Sequence, residues 1–375
     1  MRKIKLLIAP NSFKECADAV DIASNITEYF TDDEFRVTSI PISDGGDGFL
    51  KICVDSFKLE IVTKETSSFY DESQMLIPVG ISRDRTQIFI ESAEVIGMKR
   101  TPPWKRNPSI LNSNNFGSLL LKLEKEYPNA TKILVGLGGT ATNDLGLGLC
   151  VPFGLKLFNK EGNELPVEPN QFVDVNSITL PGKRFSIPIE VVTDVKVPLY
   201  GSGGTSKTFA KQKGATAKEI EILEQGVINL ISVLKNEHGI DLSQKLFGAG
   251  GGLLLGLSLV ANQNVCFAEK YLLDSLHLER EVSENDFIIT GEGSFDEQSL
   301  MNKGTGILIG LAQRHQKKLF LICGNLNPAD YFQNSSEIKA YPIQKYFITK
   351  QNSIDNYKAG IKKACMEIKS YILSH

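Results

Sequence analysis

No stretch of this chain approaches the roughly 18 consecutive apolar residues of a membrane-spanning helix. The longest apolar run, Leu253 to Ala261, is interrupted by Gly256 and Ser258 and ends at Asn262. The basic start MRKIKLLIAP carries only a few apolar residues before Asn11-Ser12-Phe13-Lys14, too few for a secretory signal. A soluble, cytoplasmic protein is expected. Cysteine is sparse: the six (Cys16, Cys53, Cys150, Cys266, Cys323 and Cys365) form no C-x-x-C pair and have no histidine at ligand spacing. That argues against a zinc site and a dense disulfide framework, and free thiols buried in a reducing cytosol are expected. Charge of one sign is lacking too, with 41 Lys+Arg against 44 Asp+Glu. A whole-chain nucleic-acid binder normally needs a basic excess.

Histidine is the scarcest catalytic residue type. The four (His238, His277, His315 and His375) all lie outside the glycine-rich segments. A Ser-His-Asp hydrolase and a His-activated cysteine nucleophile are therefore disfavoured. There is no GxxxxGK[ST] loop, and Gly291-Glu292-Gly293 lacks the spacing that would complete a dinucleotide fingerprint.

What is present is an ordinary globular composition, 42% hydrophobic and 23% charged over 375 residues, long enough for two or three domains. Ile4–Ala9 reads as a buried strand, Ala17–Phe30 as an amphipathic helix and Arg36–Ile40 as a second strand, a βαβ opening. Strand-like runs recur at Glu60-Ile61-Val62 and Gln87–Ile90. A helix over Gly117–Glu126 precedes a strand over Lys132–Leu137, and Lys218–Lys235 forms a long amphipathic helix. Near the C-terminus Asp286–Thr290 and Lys318–Cys323 read as strands flanking a helix over Ile307–Arg314. Both ends thus have parallel α/β texture and the middle is mixed, as in a discontinuous α/β domain carrying a large insertion.

The 32 glycines are concentrated. Six segments place glycine or a small residue, with carboxylate, lysine or hydroxyl groups, just after an expected strand. They are Asn11–Lys14, Ser43–Gly48, Gly136–Asp144, Thr193–Gly214, Gly248–Gly252 and Gly291–Asp296. Ligands of α/β folds bind at the carboxyl ends of strands, and glycine lets backbone N–H groups approach an anion. Carboxylates, lysines, small hydroxyls and backbone nests suit phosphoryl transfer, which needs charge stabilisation rather than covalent chemistry.

These segments resemble, in order, the motifs of the bacterial glycerate kinase family. The family pattern A-P-D-S-F-K-G is matched by Ala9–Glu15, D-G-G-E-G by Asp44–Gly48 and R-N-P by Arg106–Pro108. G-G-S-A-T-N-D-G-G is matched by Gly138–Gly146, D-V-x-N-P-L by Asp194–Leu199 and P-Q-K-G-A by Lys211–Ala215. G-E-G-x-x-D-x-Q-S is matched by Gly291–Ser299, followed by Asn302-Lys303. The resemblance implies an α/β fold of two domains: a flavodoxin-like parallel-sheet domain over 1–70 plus 285–375, and an inserted mixed α/β domain over 71–284. It implies an active site in the cleft between them and transfer from Mg²⁺-ATP to D-glycerate, with 2-phosphoglycerate expected over 3-phosphoglycerate. A homodimer is left open; no nucleic-acid or membrane partner is expected.

Carried over by position, the resemblance implies that Asp194 accepts the proton of the glycerate hydroxyl, with Lys14 beside it in catalysis. Ser12, Arg106, Asp44, Thr140 and Asn143 would bind substrate. Gly138, Gly139, Gly250 and Gly251 would supply an N–H cradle for ATP, with Lys213, Lys303 and Glu292. Asp296 and Asp44 would ligate Mg²⁺. The chain departs from the family at Glu15 and Asn302, where glycine is usual, and at Val197, where asparagine is usual. Ala210-Lys211 stands where the family has Gly-Pro, and Ser109–Asn115 replaces a Thr-rich stretch. Two other readings stay open at this point: a kinase of another small hydroxy acid or polyol, and a catalytically weak ligand-binding paralogue.

Overall fold

The computed structural model describes residues 2–13, 16–43, 45–71, 73–243, 245–300, 304–328, 332–333 and 335–374. Along the chain β1 (Ile4–Ile8) and β2 (Phe35–Ser39) come first. They are followed by β3 (Glu60–Ser67), β4 (Gln74–Ile81), β5 (Gln87–Glu91) and β6 (Lys132–Gly136). Three short strands come next, β7 (Lys156–Phe158), β8 (Glu164–Leu165) and β9 (Ser177–Thr179), then β10 (Ile189–Thr193) and β11 (Gln263–Phe267). The last are β12 (Phe287–Phe295), β13 (Lys318–Leu326) and β14 (Ile338–Pro342). Two compact units result, Met1–Asp44 with Phe267–His375, and Gly45–Cys266.

In the discontinuous unit five parallel strands run in the order β14-β13-β12-β1-β2. Counted within the unit this is 2-1-3-4-5, the flavodoxin-like order. A parallel sheet is covered on both faces, so its strands are near-continuous apolar runs. Leu6, Leu7, Ile8 and Leu319 to Cys323 are all fully buried. The helix Ala19–Thr27 starts where the Asp18 carboxylate accepts the Asp21 N–H at 2.9 Å. Its Ile22 and Ile26 join Ile361 and Ile368 of the helix Tyr357–Ser374 over Leu6, Ile8, Phe320 and Ile322. Each such side chain contributes about 1.5–3 kcal/mol by leaving water.

The contiguous unit holds a six-stranded mixed sheet, β11-β10-β6-β5-β4-β3, and a small three-stranded one, β8-β7-β9. β10, β6 and β5 are parallel, while β4 and β3 are antiparallel. Ile88, Ile90, Ile133, Val135 and Val191 meet Phe116, Leu120, Leu149 and Leu253 in its core. The helix Ala217–His238 is capped by a reciprocal Thr216–Glu219 box.

The observed bounds differ from the expected 70/71 and 284/285. β3 pairs with β4 over its whole length, from Glu60↔Ile81 to Ser67↔Gln74, which binds residues 45–70 to the second unit. The helices Ala268–Asp274 and Leu278–Glu284 pack on Gly304–Arg314, which binds 267–284 to the first. Several helices stand where none was expected, among them Phe49–Phe57 and Tyr357–Ser374. The apolar run near Leu253 is a buried helix, and no described helix is long and apolar enough to cross a membrane.

Candidate active site

In the contiguous unit the parallel strands β5, β6 and β10 end side by side at Glu91, Gly136 and Thr193. Asp194 is the next residue after β10 and its side chain is exposed. Beyond β6 the Leu137 N–H donates to the Val192 carbonyl at 2.9 Å, tying the following loop to β10. The loop is then fastened to the segment after β5. The Met98 N–H donates to the Gly139 carbonyl at 2.9 Å and the Ala141 N–H to the Ile96 carbonyl at 2.7 Å. Gly138 and Gly139 are half-buried there, while Thr140, Thr142 and Asn143 are buried. Asn143 Nδ2 donates to Ser206 Oγ at 3.1 Å.

Asp144 ends this loop as a fully buried carboxylate. Oδ2 accepts from the Ser113 N–H (2.8 Å), Ser113 Oγ (2.7 Å) and the Gly148 N–H (3.0 Å), and Oδ1 accepts from the Gly146 N–H (3.3 Å). Four donors offset the cost of burying the charge. Lys213 is only 3% exposed. Its Nζ donates to the Thr142 carbonyl at 2.6 Å and to Thr140 Oγ1 at 3.2 Å. Burial pulls its pKa down to about 7, against an opposing pull from the Asp144 charge. The expected phosphate contact of Lys213 thus falls on an amino group turned onto the loop itself.

Two other expected ligand groups are also engaged with protein. Arg106 Nη2 donates to the Met98 carbonyl at 2.9 Å and Nε to the Thr101 carbonyl at 3.2 Å, which commits part of the guanidinium to that turn. Gly250, Gly251 and Gly252 have φ of +62°, +73° and +85°, so the regular helix begins only after them. A Cβ on Gly251 would lie 2.1 Å from the Thr142 carbonyl oxygen, and one on Gly250 2.3 Å from Leu137 Cδ1. Their close approach is to the Leu137–Leu145 loop, whose Leu145 N–H donates to the Gly251 carbonyl at 2.9 Å.

In the discontinuous unit the strand order switches direction between β1 and β12, the place where ligands bind in such sheets. There the Asn11 N–H donates to the Gly291 carbonyl at 2.8 Å, and the Ser12 N–H to Asn11 Oδ1 at 2.7 Å. Ser12 is half-buried. Ser299 Oγ donates to Glu292 Oε2 at 3.1 Å, and its N–H donates to Asp296 Oδ1 at 3.2 Å. Both acids are half-buried. Glu292 lies opposite Cys323, whose thiol is pushed up to about 12 by burial and then by the Glu292 charge. The expected Lys14, Asp44 and Lys303 lie outside the described residues.

Among the described residues no three His, Cys, Asp or Glu converge on a metal position. Magnesium in phosphoryl transfer is commonly held by one or two carboxylates together with substrate phosphates, so the half-buried Asp296 suits it. Sequence reasoning missed Glu91, and it singled out Asp47 within the D-G-G-E-G match without giving it a role of its own. Glu91 is a carboxylate only 2% exposed at the end of β5, and a Cβ on Gly139 would lie 2.6 Å from Asp47 Oδ1. The available signal was an acid closing the apolar strand Ile88–Ile90, directly before a helix.

This α/β chain, with acids, small hydroxyls and glycine loops at the carboxyl ends of its parallel strands, is by family a phosphotransferase acting on an alcohol group. It belongs to the glycerate kinase family, whose model matches residues 6–373. The glycerate kinase of Neisseria meningitidis is 30% identical over 86% of each chain. The glycerate 2-kinase of Escherichia coli is 29% identical over 86% of each. The crystal structure of a Salmonella typhimurium protein assigned as glycerate kinase 2 superposes with a TM-score of 0.74, at 26% identity over 98% of each chain.

Proposed function

We propose that this enzyme transfers the γ-phosphoryl group of Mg²⁺-ATP to the 2-hydroxyl of D-glycerate. The observation that carries the reading is the exposed Asp194 at the end of β10, beside a loop held at Gly138 by the Ser92 hydroxyl and at Gly139 by the Met98 N–H. An exposed carboxylate can accept the hydroxyl proton. The Gly138 N–H is committed to Ser92 Oγ and the Ala141 N–H to the Ile96 carbonyl, so the loop's other N–H groups are the ones proposed to stabilise charge on the transferring group. Ser12, Thr140 and Asn143 are proposed to orient the hydroxy acid, with Arg106, Lys14 and Asp44. Lys303 and Glu292 are proposed to meet the nucleotide. Lys213, Gly250 and Gly251 support the cradle from within. Asp296, with Asp44, would hold Mg²⁺, which neutralises phosphate charge when bound. Preference for the 2-hydroxyl is supported by the likeness to a glycerate 2-kinase.

The test is ATP consumption with D-glycerate and a panel of small hydroxy acids and polyols, followed by phosphorus NMR of the product. A 2-phosphate couples to one carbinol proton and a 3-phosphate to two methylene protons. Turnover with another acceptor alone would refute the glycerate assignment. A changed acceptor has one observation in its favour. Val197, three residues past Asp194, presents an apolar side chain where the family has asparagine, and its Cγ1 would lie 3.0 Å from a Cβ on Gly248.

A further inference from the structure

Glu91 and Ser92 are consecutive, at the point where β5 passes into the helix Ser92–Ile96, and together they hold two glycine loops. Glu91 Oε2 accepts the Leu50 N–H at 3.0 Å, and Oε1 accepts the Gly48 N–H at 3.2 Å and Lys99 Nζ at 2.7 Å. The helix Phe49–Phe57 has no side-chain cap of its own, because its cap residue is Gly48 at φ +86°. Its N-terminal donors are satisfied from another strand instead. Ser92 is fully buried, and its hydroxyl makes a two-way link with one residue. Oγ donates to the Gly138 carbonyl at 2.9 Å and accepts the Gly138 N–H at 3.1 Å. The two loops also touch, since a Cβ on Gly138 would lie 2.7 Å from Gly46 Cα.

We propose that Glu91 and Ser92 are positioning residues for phosphoryl transfer, setting the Gly45–Gly48 loop and the Gly138–Thr142 cradle at one fixed separation. The inference rests on the reading of Gly138–Thr142 as the phosphate cradle. A local N-cap would have ended the helix equally well but would have left the spacing between the loops to chance. A buried carboxylate is tolerated only with its charge and lone pairs matched, and here two N–H groups and the Lys99 ammonium supply that match. Neither residue is placed against substrate. Both act through glycine backbone whose displacement by a fraction of an ångström weakens transition-state contacts more than ground-state ones.

The experiment compares the full-length wild type with Ser92→Ala, Ser92→Thr and Glu91→Gln in steady-state kinetics with ATP and D-glycerate. Hydrogen exchange is measured on the same proteins. Ser92→Ala should lower kcat about ten- to a hundredfold, with both KM values within about threefold, the pattern of a contact made in the transition state. Ser92→Thr keeps the hydroxyl and should retain more of kcat. Glu91→Gln loses the ion pair and one acceptor and should fall in the same direction. In Ser92→Ala the Gly138 amide should lose protection while β6 keeps it. A kcat within threefold of wild type in both Ser92→Ala and Glu91→Gln would overturn the proposal, and so would a rise in KM alone. A wild type inactive on every hydroxy acid would overturn the functional reading, and this inference with it.

Discussion

The ε-amino group of Lys213 donates to the Thr142 carbonyl at 2.6 Å from a position only 3% exposed. A lysine so placed gives up its hydration and keeps a proton less readily. With the folded pKa lowered to about 7 from 10.5, the unfolded chain binds more protons between those values, so stability rises with pH across that window. The expected result is that wild type gains stability relative to Lys213→Met between pH 7 and 10, and that the gap is flat below pH 6. Urea unfolding at pH 6, 8 and 10 reads this directly, and a gap constant from 6 to 10 refutes it. Inside that window the gain approaches about 1.4 kcal/mol for each step of one in pH.

Gly251→Ala should destabilise by roughly 3 kcal/mol or more, because two separate costs add. One is the left-handed backbone at φ +73°, worth about 1–2 kcal/mol for a residue with a Cβ. The other is the clash 2.1 Å from the Thr142 carbonyl oxygen. Gly162→Ala isolates the first, since φ there is +80° with nothing within 4 Å of the new methyl. Equal losses of thermal stability in the two variants would show that the contact costs nothing.

Asp194→Asn should reduce kcat by about 10²–10⁴-fold if this carboxylate accepts the hydroxyl proton. Its side chain is exposed, so stability should stay within about 0.5 kcal/mol of wild type. Nucleotide affinity by calorimetry should be nearly unchanged. Retained turnover in this variant would move the base elsewhere.

Five of the six thiols are buried and Cys16 is half-buried. Burial raises the pKa values of Cys150 and Cys365, and that of Cys323 to about 12, so these carry almost no thiolate at pH 8. Brief iodoacetamide treatment of the native protein should modify Cys16 alone, and denaturation should expose all six. Native labelling of Cys323, read by peptide mass, would contradict the burial of that strand.

Much of the fold was legible because its signals are local. The helix Ala217–His238 announces itself through Ile220, Leu223, Val227, Leu230 and Leu234, and β12 and β13 through continuous apolar runs. The helix Tyr357–Ser374 has the right period too, but Gly360 and Ala364 occupy its inner face and dilute the apolar signal. Gly360 is small because a Cβ there would meet Ile343 at 2.9 Å. The candidate site was legible as composition rather than geometry. Lys213 reads from the P-Q-K-G-A match as a nucleotide contact, and only the tertiary fold carries that amino group under Thr140 and Thr142 instead. Glu91 depends on Gly48 and Leu50, more than forty positions earlier, a pairing no local pattern encodes.

The five-stranded sheet places β1 between β2 and β12, with Leu6 registered on Phe287. A nascent chain therefore makes its first strand early but cannot pair one side of it until most of the protein has been translated. The segment Gly45–Cys266, by contrast, is continuous and is finished before that partner exists. During synthesis the amino-terminal βαβ piece waits as an incomplete sheet with an unpaired apolar edge. Closing the long chain excursion adds only slowly growing entropy, so the delay is one of timing rather than of final stability. The carboxyl-terminal third is thus the segment whose truncation would cost the amino-terminal strand its neighbour.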